Sequence, residues 1–240
     1  MWAVPRTIVI GDVHGCAAEL SELLSKVGFA SGDQLVFVGD LVARGPDSRG
    51  VLRLVRELGA LSVRGNHEER LLAARIATQR GEPWPKIGKG HSALAKEFDE
   101  TEWQQLEALP LHLDIQSHAF RVVHAGVDPA RRFEEQDPWM MTHMRSLLED
   151  GTPSDRWGPP WGAVYQGPPH VVFGHNAQRV PQIHPHATGL DTACVYGGAL
   201  TALVLAEGQL VPPVAERRDA LVSVPARAAY ADYGRELPGS

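Results

Sequence analysis

The chain has 240 residues, 43% of them hydrophobic, and a formal net charge of −6, so it is long and apolar enough to form one large domain with a full core. The negative balance provides no basic surface for long-range attraction of nucleic acid, and no apolar run reaches the length of a bilayer. The two cysteines make neither a disulfide framework nor a zinc motif, so we expect reduced thiols. Residues 1–6 lack the basic-then-apolar order of a signal peptide, so we expect a cytoplasmic protein with no membrane partner.

Strand, loop and helix alternate three times at the start of the chain. Strands are predicted at residues 7–10, 35–38 and 61–63, and each runs into a loop that contains glycine. The helices that follow are predicted at residues 17–27, from Asp47 or Ser48 to Gly59, and at residues 69–79. This alternation is typical of βαβ units and predicts a mostly parallel sheet here.

The remainder of the chain is less regular. Residues 81–90 and 152–169 are rich in Gly and Pro and predict loops, whereas Thr101 resembles the cap of a helix that extends to Leu109. A further helix is predicted at residues 139–148, and strand-like runs are found at residues 111–115, 119–123, 171–173, 190–192, 199–205 and, more weakly, 209–211. We therefore place the folded domain at residues 1–213 and expect residues 214–240 to be a C-terminal tail packed on it.

Several strand-like runs end in an Asp, Asn or His that lies beside glycine. There are five such ends, carrying Asp12 with His14, Asp40, Asn66 with His67, His124, and His175. Each alone is explained by a tight turn or a helix cap. Five in succession favour a single cause, which is a metal site at one edge of one sheet, where open α/β sheets bind their ligands.

The residue types at these ends specify the chemistry of such a site. Mixed Asp, His and Asn ligands suit Mn²⁺, Fe²⁺, Co²⁺ or Zn²⁺, and imidazole argues against a pure Mg²⁺ or Ca²⁺ site. A carboxylate such as Asp40 can bridge two ions about 3.5–4 Å apart, the spacing of two-metal phosphatases. Such a pair lowers the pKa of a bound water and produces a hydroxide positioned for in-line attack on phosphorus.

The ordered motifs resemble those of a known family. GDVHG at residues 11–15, GDLVARG at 39–45, GNHE at 65–68, HAG at 124–126 and GH at 174–175 are similar to the phosphoprotein-phosphatase-like branch of the calcineurin-like metallophosphoesterases. Within that branch they look most like the symmetrical diadenosine tetraphosphate hydrolases of the ApaH type, over residues 8–205. The resemblance implies an αββα sandwich of two mixed sheets with helices outside and metals at one edge.

The resemblance also implies a role for each matching residue. Two divalent ions, Mn²⁺ before Co²⁺, Fe²⁺ or Zn²⁺, would share Asp40, the first held with Asp12 and His14 and the second with Asn66, His124 and His175. His67 would be the general acid that protonates the leaving oxygen. Arg44 and, from a weaker match, Arg145 would clamp the phosphate, for which the planar guanidinium is well suited.

One departure from the protein phosphatases points to the substrate. The protein phosphatases carry an aspartate that orients the catalytic histidine at the position where this chain has Ala43. ApaH-type enzymes have alanine there and proline after the glycine, as Pro46 follows Gly45 here. Without that carboxylate, the pKa of His67 should be lower, which suits a leaving group that needs little protonation, such as a nucleoside diphosphate. We therefore expect a hydrolase that acts on a small molecule, diadenosine tetraphosphate, and cleaves it symmetrically into two ADP.

Two features favour an alternative. Glu68 completes GNHE as in protein phosphatases, and the segment between His124 and His175 is short. A serine/threonine protein phosphatase with a phosphoprotein partner, or a broad phosphomonoesterase, is therefore the second interpretation. A non-catalytic binding module is the third, and the presence of all six predicted ligands argues against it.

Other polar and aromatic residues have simpler explanations. Asp191 either supports a metal-bound histidine or caps a turn, and Glu68 and Glu69 are interpreted as acids favoured by the start of a helix. Seven histidines without a motif are expected at the surface, namely His91, His112, His118, His143, His170, His184 and His186. Three tryptophans, Trp139, Trp157 and Trp161, are more typical of packing than of stacking on adenine.

Overall fold

The computed structural model of the protein describes residues 6–234 and residue 237. Residues 1–5, where no signal peptide is expected, lie outside the described residues. So do residues 235–236 and 238–240 of the predicted tail. Within the described part, no helix has both the length and the apolarity needed to cross a membrane. The α-helices there are α1 (Ala17–Lys26), α2 (Ser48–Glu57), α3 (Asn66–Arg80), α4 (Lys89–Glu97), α5 (Glu100–Glu107) and α6 (Pro138–His143).

The strands form two large mixed sheets and one small hairpin. In chain order they are β1 (Thr7–Ile10), β2 (Gln34–Phe37), β3 (Leu61–Ser62), β4 (His112–Ile115), β5 (Phe120–Val123), β6 (Ser146–Leu147), β7 (Pro153–Ser154), β8 (His170–Phe173), β9 (Gln182–Ile183), β10 (Ala187–Gly189), β11 (Ala199–Leu205) and β12 (Leu221–Pro225). The first sheet has the order β12-β11-β1-β2-β3 and the second β4-β5-β8-β10-β9, while β6 and β7 pair separately. The predicted αββα sandwich is confirmed.

Alternation along the strands explains why the two sheets stack. In β1, Val9 faces the second sheet and packs in one cluster with Phe120 and Val172, whereas Ile8 and Ile10 belong to the cluster formed with the helices. A strand covered on both faces is expected to be apolar throughout, as β1 is. The sandwich therefore has one core between its sheets and another beneath α1, α2, α3 and α5.

Several predicted elements differ from the observed ones. The loop predicted at residues 81–90 ends in α4, which was not predicted, and the cap of α5 is Asp99 instead of Thr101. The helix predicted at residues 139–148 stops at His143, because the next residues pair with β7. The strand predicted at residues 190–192 lies earlier, at β10, and Gln209 closes a turn onto Ala206 where a strand was expected.

Part of the predicted tail is a strand of the first sheet. Pro213 precedes a 3₁₀ turn. After this turn, every residue of β12 pairs antiparallel with a residue of β11. The buried Arg217 in this turn donates hydrogen bonds to backbone oxygens of Pro212 (2.8 Å) and His184 (2.5 Å). Hydrogen bonds from a charged donor satisfy carbonyls that would otherwise be buried unpaired. Residues beyond 213 therefore complete the first sheet and contact the second.

Candidate metal centre

The loops that follow β1, β2, β3, β5 and β8 meet at one end of the sandwich. The expectation of a single sheet edge is wrong, because β5 and β8 belong to the second sheet and the other three strands to the first. Three of the predicted ligands have left-handed backbones, with φ of 48° at His14, 49° at Asp40 and 64° at His175. Such conformations are costly outside glycine and cluster at functional sites.

Asp40 lies at the middle of the cluster. Its Oδ2 is 3.5 Å from Nε2 of His14 and 3.4 Å from Nε2 of His124, while its Oδ1 accepts a hydrogen bond from the backbone N–H of His67 (3.0 Å). Ligand atoms of Asp40, His14 and His67 lie within 4.8 Å of one another, and so do those of Asp40, His124 and His175. One carboxylate is therefore shared by two groups that are suited to metal binding.

The histidine rings are oriented so that a lone pair faces inward. One nitrogen of each ring is hydrogen-bonded to a backbone oxygen. The pairs are Nδ1 of His14 with Val42 (3.2 Å), Nδ1 of His124 with Val38 (2.8 Å) and Nε2 of His175 with His143 (3.2 Å). A carbonyl oxygen accepts only N–H, so in the neutral ring the opposite nitrogen is an acceptor. Those nitrogens face carboxylate or amide oxygens. At His124, whose pKa is about 10, a proton provides the positive charge between such acceptors, and a divalent cation would take its place.

Asn66 and Asp12 complete the cluster from two sides. Asn66 places Oδ1 3.2 Å from Nε2 of His124 and 3.1 Å from Nδ1 of His175. Asp12 accepts the backbone N–H of His175 at 3.0 Å, and a Cβ on Gly174 would overlap its carboxylate, which explains the glycine. All six predicted ligands are buried in one place, although Asp12 is not in either of the two close His/Asp groups.

The electrostatics of the site also fit a bound cation. Burial raises the pKa of Asp12 well above its ordinary value, and the neighbouring carboxyl of Asp191 raises it further. Burial opposes ionisation of Asp40 and His124, yet each stabilises the charge of the other, so the pKa of Asp40 falls well below normal and that of His124 rises to about 10. Burial lowers the pKa of His14 to about 4. Asp12 and Asp40 are therefore buried carboxyls close to one another, and a divalent ion would stabilise their negative charges.

Glu68 has a larger role than that of a helix N-terminal acid. Its buried carboxylate accepts four backbone N–H groups, from Asp40 (2.9 Å), Leu41 (2.9 Å), Val42 (3.3 Å) and Gly65 (2.8 Å). The first three belong to the loop that carries Asp40. Glu68 therefore fixes the left-handed turn that points Asp40 at the histidines. This role has no local signal in the sequence, because an acid three residues after a glycine is already explained by capping.

We expect Glu68→Gln to weaken Mn²⁺ binding by about 10–100-fold, the usual cost of losing a partner that orients ligands. A glutamine amide offers one acceptor oxygen and turns an NH₂ group toward backbone donors, so the loop around Asp40 must shift. Calorimetric titration of the metal-free protein with Mn²⁺ measures the change. Glu57→Gln, at an exposed acid in α2, is the matched control and should bind as the wild type does. Equal Mn²⁺ affinity in both variants would contradict the role given to Glu68.

His67 is paired with another histidine. Its Nδ1 is 3.0 Å from Nε2 of His91, which is buried and not at the surface as predicted. The pKa of His67 lies well below the ordinary value, mainly through burial, and His14, Arg44 and His91 lower it further while Asp40 raises it. His91 is thus a side-chain partner of the His67 ring.

Among the other histidines expected at the surface, His118 is also buried, with its Nε2 on Thr7 and its Nδ1 on the backbone of Gln209. His91 had a detectable signal, because Leu94, Ala95 and Phe98 follow it at helical spacing and pack against the core. That spacing predicts a helix with His91 on its buried face.

The predicted phosphate clamps both lie near the cluster, because the charges of Asp40 and Asp191 act on each guanidinium. Arg44 is exposed, with its guanidinium carbon 5.2 Å from the ring centre of Tyr196. Arg145 donates to the backbone oxygen of His175 (3.0 Å) and to Oδ1 of Asn176 (3.2 Å). Arg145 is therefore held by the same loop that carries a predicted ligand.

The contacts of Asp191 and of the tryptophans indicate their roles. Asp191 accepts the N–H of Ala193 (3.0 Å), which is the turn-capping interpretation. Trp161 is fully buried and donates to the backbone of Ala125, so it is a packing residue. Trp139 is stacked on His143 with 4.7 Å between ring centres, and the guanidinium carbon of Arg145 lies 5.2 Å from the ring centre of Trp157.

The two-sheet fold and the shared Asp/His cluster at its end are those of a metallophosphoesterase. The model of the calcineurin-like phosphoesterase family matches residues 5–203. The chain belongs to this family, and the resemblance drawn from its motifs is confirmed.

Individual relatives cover most of the chain. Bis(5'-nucleosyl)-tetraphosphatase PrpE of Halalkalibacterium halodurans, named asymmetrical, is 32% identical over 85% of this chain and 91% of its own length. The symmetrical bis(5'-nucleosyl)-tetraphosphatase of Vibrio campbellii is 32% identical over 82% and 94%. Serine/threonine-protein phosphatase 1 of Salmonella typhimurium is 32% identical over 80% and 88%. A crystal structure provisionally described as a diadenosine tetraphosphatase aligns over 93% of this chain and 94% of its own, with 38% identity and a TM-score of 0.78.

Proposed function

We propose that the protein is a two-metal-dependent hydrolase of dinucleoside polyphosphates that cleaves diadenosine tetraphosphate symmetrically into two ADP. The observation that carries the metal-dependent part is the position of Asp40 Oδ2 between two inward-facing histidine nitrogens, at 3.5 and 3.4 Å. Relatives named as tetraphosphatases support the substrate class, and both cleavage patterns occur among their names. The bond that is cleaved is therefore the part that most needs an experiment.

The proposed metal ligands are those that the family resemblance implies, and the two groups around Asp40 support four of them, namely His14, Asp40, His124 and His175. One ion would be held by Asp12, His14 and Asp40, and the other by Asp40, Asn66, His124 and His175. We assign Mn²⁺ first, with Co²⁺, Fe²⁺ and Zn²⁺ as alternatives, because the donors are carboxylate, amide and imidazole. When bound, two such ions lower the pKa of water and neutralise the phosphoryl oxygens.

The remaining steps belong to side chains of the protein. His67 donates a proton to the leaving oxygen, and His91 holds the ring of His67 through its Nδ1. Arg44 binds phosphoryl oxygens from the exposed side of the cluster, and Arg145 orients the loop of His175 beside them. Because ADP leaves with little need of protonation, a weakly basic His67 is sufficient for this substrate.

A phosphoprotein substrate is the second candidate. The relative named as a serine/threonine-protein phosphatase is as similar to this chain as the tetraphosphatases are. Glu68 also completes the motif found in that group. Against it stands Ala43, which leaves His67 with a histidine partner where an acid would better stabilise the protonated ring.

Separation of the nucleotide products tests the proposal. The Mn²⁺-loaded protein is incubated with diadenosine tetraphosphate, and ADP is expected as the only initial product. ATP with AMP in equal amounts would overturn symmetrical cleavage, and a kcat/KM for a phosphopeptide far above that for the dinucleotide would overturn the substrate class. Exhaustive chelation should abolish turnover and added Mn²⁺ should restore it, whereas undiminished turnover would refute the metal centre.

We also propose a cytoplasmic location. Cys16 and Cys194 are both buried and are not joined by a disulfide. Free thiols are usual where the environment is reducing. Fractionation of cells that produce the native protein would test the location, and recovery outside the cytoplasm would contradict it.

A further inference from the structure

A cavity of about 480 Å³ lies between the C-terminal segment and the loop around Tyr196. Its walls include Arg179, Tyr196, Tyr230, Asp232 and Tyr233. The volume falls within the range of about 300–1,000 Å³ that is common for small-molecule sites. None of these residues belongs to the metal cluster, so the cavity is a separate feature.

The wall formed by the C-terminal segment is held in place at several points. Ala229 forms a β-bridge with Tyr196, and the backbone N–H groups of Tyr230 and Ala231 both donate to the oxygen of Val195. The Tyr230 hydroxyl donates to the carboxylate of Glu19, a buried acid of α1, at 2.8 Å. The tyrosines of this wall are therefore positioned by the fold before any ligand binds.

The cavity is adjacent to the phosphate-binding side of the metal cluster. Tyr196 contacts both the guanidinium of Arg44, whose carbon is 5.2 Å from the ring centre, and the ring of Tyr233, with 4.8 Å between the two ring centres. Leu237 packs with Ala177, two residues beyond His175. An elongated molecule that contacts Arg44 at the cluster would thus place its next group against Tyr196 and Tyr233.

The chemistry of the lining fits a nucleoside. Aromatic rings stack on nucleobases, a carboxylate such as Asp232 accepts hydrogen bonds from ribose hydroxyls, and Arg179 adds positive charge near the phosphate chain. We propose that this cavity binds the base and ribose of one half of the dinucleotide, while Arg44 contacts the adjoining phosphates. The inference rests on the proposed function for its substrate class but names a binding site of its own.

Equilibrium binding of ADP and inorganic pyrophosphate to the Mn²⁺-loaded protein tests the site, because the two ligands share phosphates and differ in the nucleoside. We expect the wild type to bind ADP more tightly than pyrophosphate. Tyr233→Leu should reduce this preference at least fivefold, the lower limit for loss of base stacking. Tyr233→Phe keeps the ring and should keep the preference. Tyr165→Phe, in a different cluster, controls for loss of a tyrosine hydroxyl.

Each result decides one way. No preference for ADP in the wild type, or equal weakening of both ligands in Tyr233→Leu, would overturn the nucleoside site. Thermal unfolding of each variant checks that the C-terminal segment stays folded, and Tyr196→Leu provides a second test of the same wall. If the wild type prefers ADP but does not hydrolyse diadenosine tetraphosphate, the substrate proposal fails and the cavity proposal stands.

Discussion

Asp40→Asn is expected to lower kcat/KM for diadenosine tetraphosphate by at least about 10³-fold and to remove most of the bound Mn²⁺. Two metal ions supply several kcal/mol of charge stabilisation in the transition state, and about 1.4 kcal/mol corresponds to each tenfold change in rate. Asp40 would be the ligand shared by both ions, since one of its oxygens is close to His14 in one group and to His124 in the other.

The same substitution should leave the fold intact. Asparagine has the shape of aspartate and retains an oxygen to accept the N–H of His67. It also removes one buried negative charge: besides burial, the charge of Asp40 raises the pKa of Glu68, to about 7. The substitution also ends the charge stabilisation between Asp40 and His124, so the metal-free variant should unfold at a somewhat lower temperature than the metal-free wild type. Circular dichroism at the assay temperature checks that the variant is folded, so that lost activity is not assigned to unfolding.

Metal content by mass spectrometry and steady-state kinetics at fixed Mn²⁺ measure the two effects together. Asp114→Asn, at an exposed strand residue paired with Arg121, should retain both metal and activity. Full activity of Asp40→Asn, or two equivalents of tightly held Mn²⁺, would show that the cluster is not the catalytic centre.

The ligand loops were predictable because their signals are local. A β-branched or apolar run that ends at glycine marks the end of a strand, and the next few residues must lie at the sheet edge. For Asp12, Asp40 and Asn66, the polar side chain follows within a few residues of such an end. No long-range information is needed to recognise that pattern.

Local sequence patterns do not determine which strand belongs to which sheet. β5 pairs parallel with β8, about 50 residues later in the chain, and β1 lies between β2 and β11. Apolar runs of four residues fit the middle of either sheet equally well. The prediction of one edge was therefore wrong although the loops themselves were identified, and β12 was missed because its strand signal is short and follows a Pro-rich segment.

The contacts of the supporting side chains could not be derived for a similar reason, although the burial of His91 could. Glu68 reaches a loop that lies 28 positions earlier in the chain, and His91 reaches His67 over 24 positions. Capping explains the first locally, and the second lies in a helix whose polar surroundings obscured its apolar face. Contacts of this kind depend on how α3 and α4 pack, which the sequence pattern does not specify.

His67→Gln is expected to lower kcat by about 10²–10⁴-fold, the usual contribution of a positioned general acid. The loss should depend on the leaving group. It should be larger for phenyl phosphate than for p-nitrophenyl phosphate, because the phenolate is the more basic and needs the proton more. An equal loss with both esters would indicate that His67 serves as a ligand, since it also lies within the His14–Asp40 group.

Substitutions of His91 test whether His67 and His91 act as a unit. Nε2 of His91 lies 3.0 Å from Nδ1 of His67, and burial lowers the pKa of His91 to about 4, so its ring is neutral at pH 7. When its proton is on Nδ1, neutral His91 offers the Nε2 lone pair to Nδ1–H of His67. His91→Phe removes this acceptor and should lower kcat about tenfold with little change in KM, whereas His91→Gln supplies an amide oxygen and should lose less.

The double variant separates positioning from packing. If His91 acts only through His67, adding His91→Phe to His67→Gln should cost no further activity, because residues that act as a unit are strongly non-additive. If His91 instead stabilises α4 by packing, its effect should be the same in either background and should appear as a lower unfolding temperature. Additive losses in kcat would therefore refute the pair, and a fall confined to the background with intact His67 would assign to His91 the task that an aspartate performs at the position of Ala43.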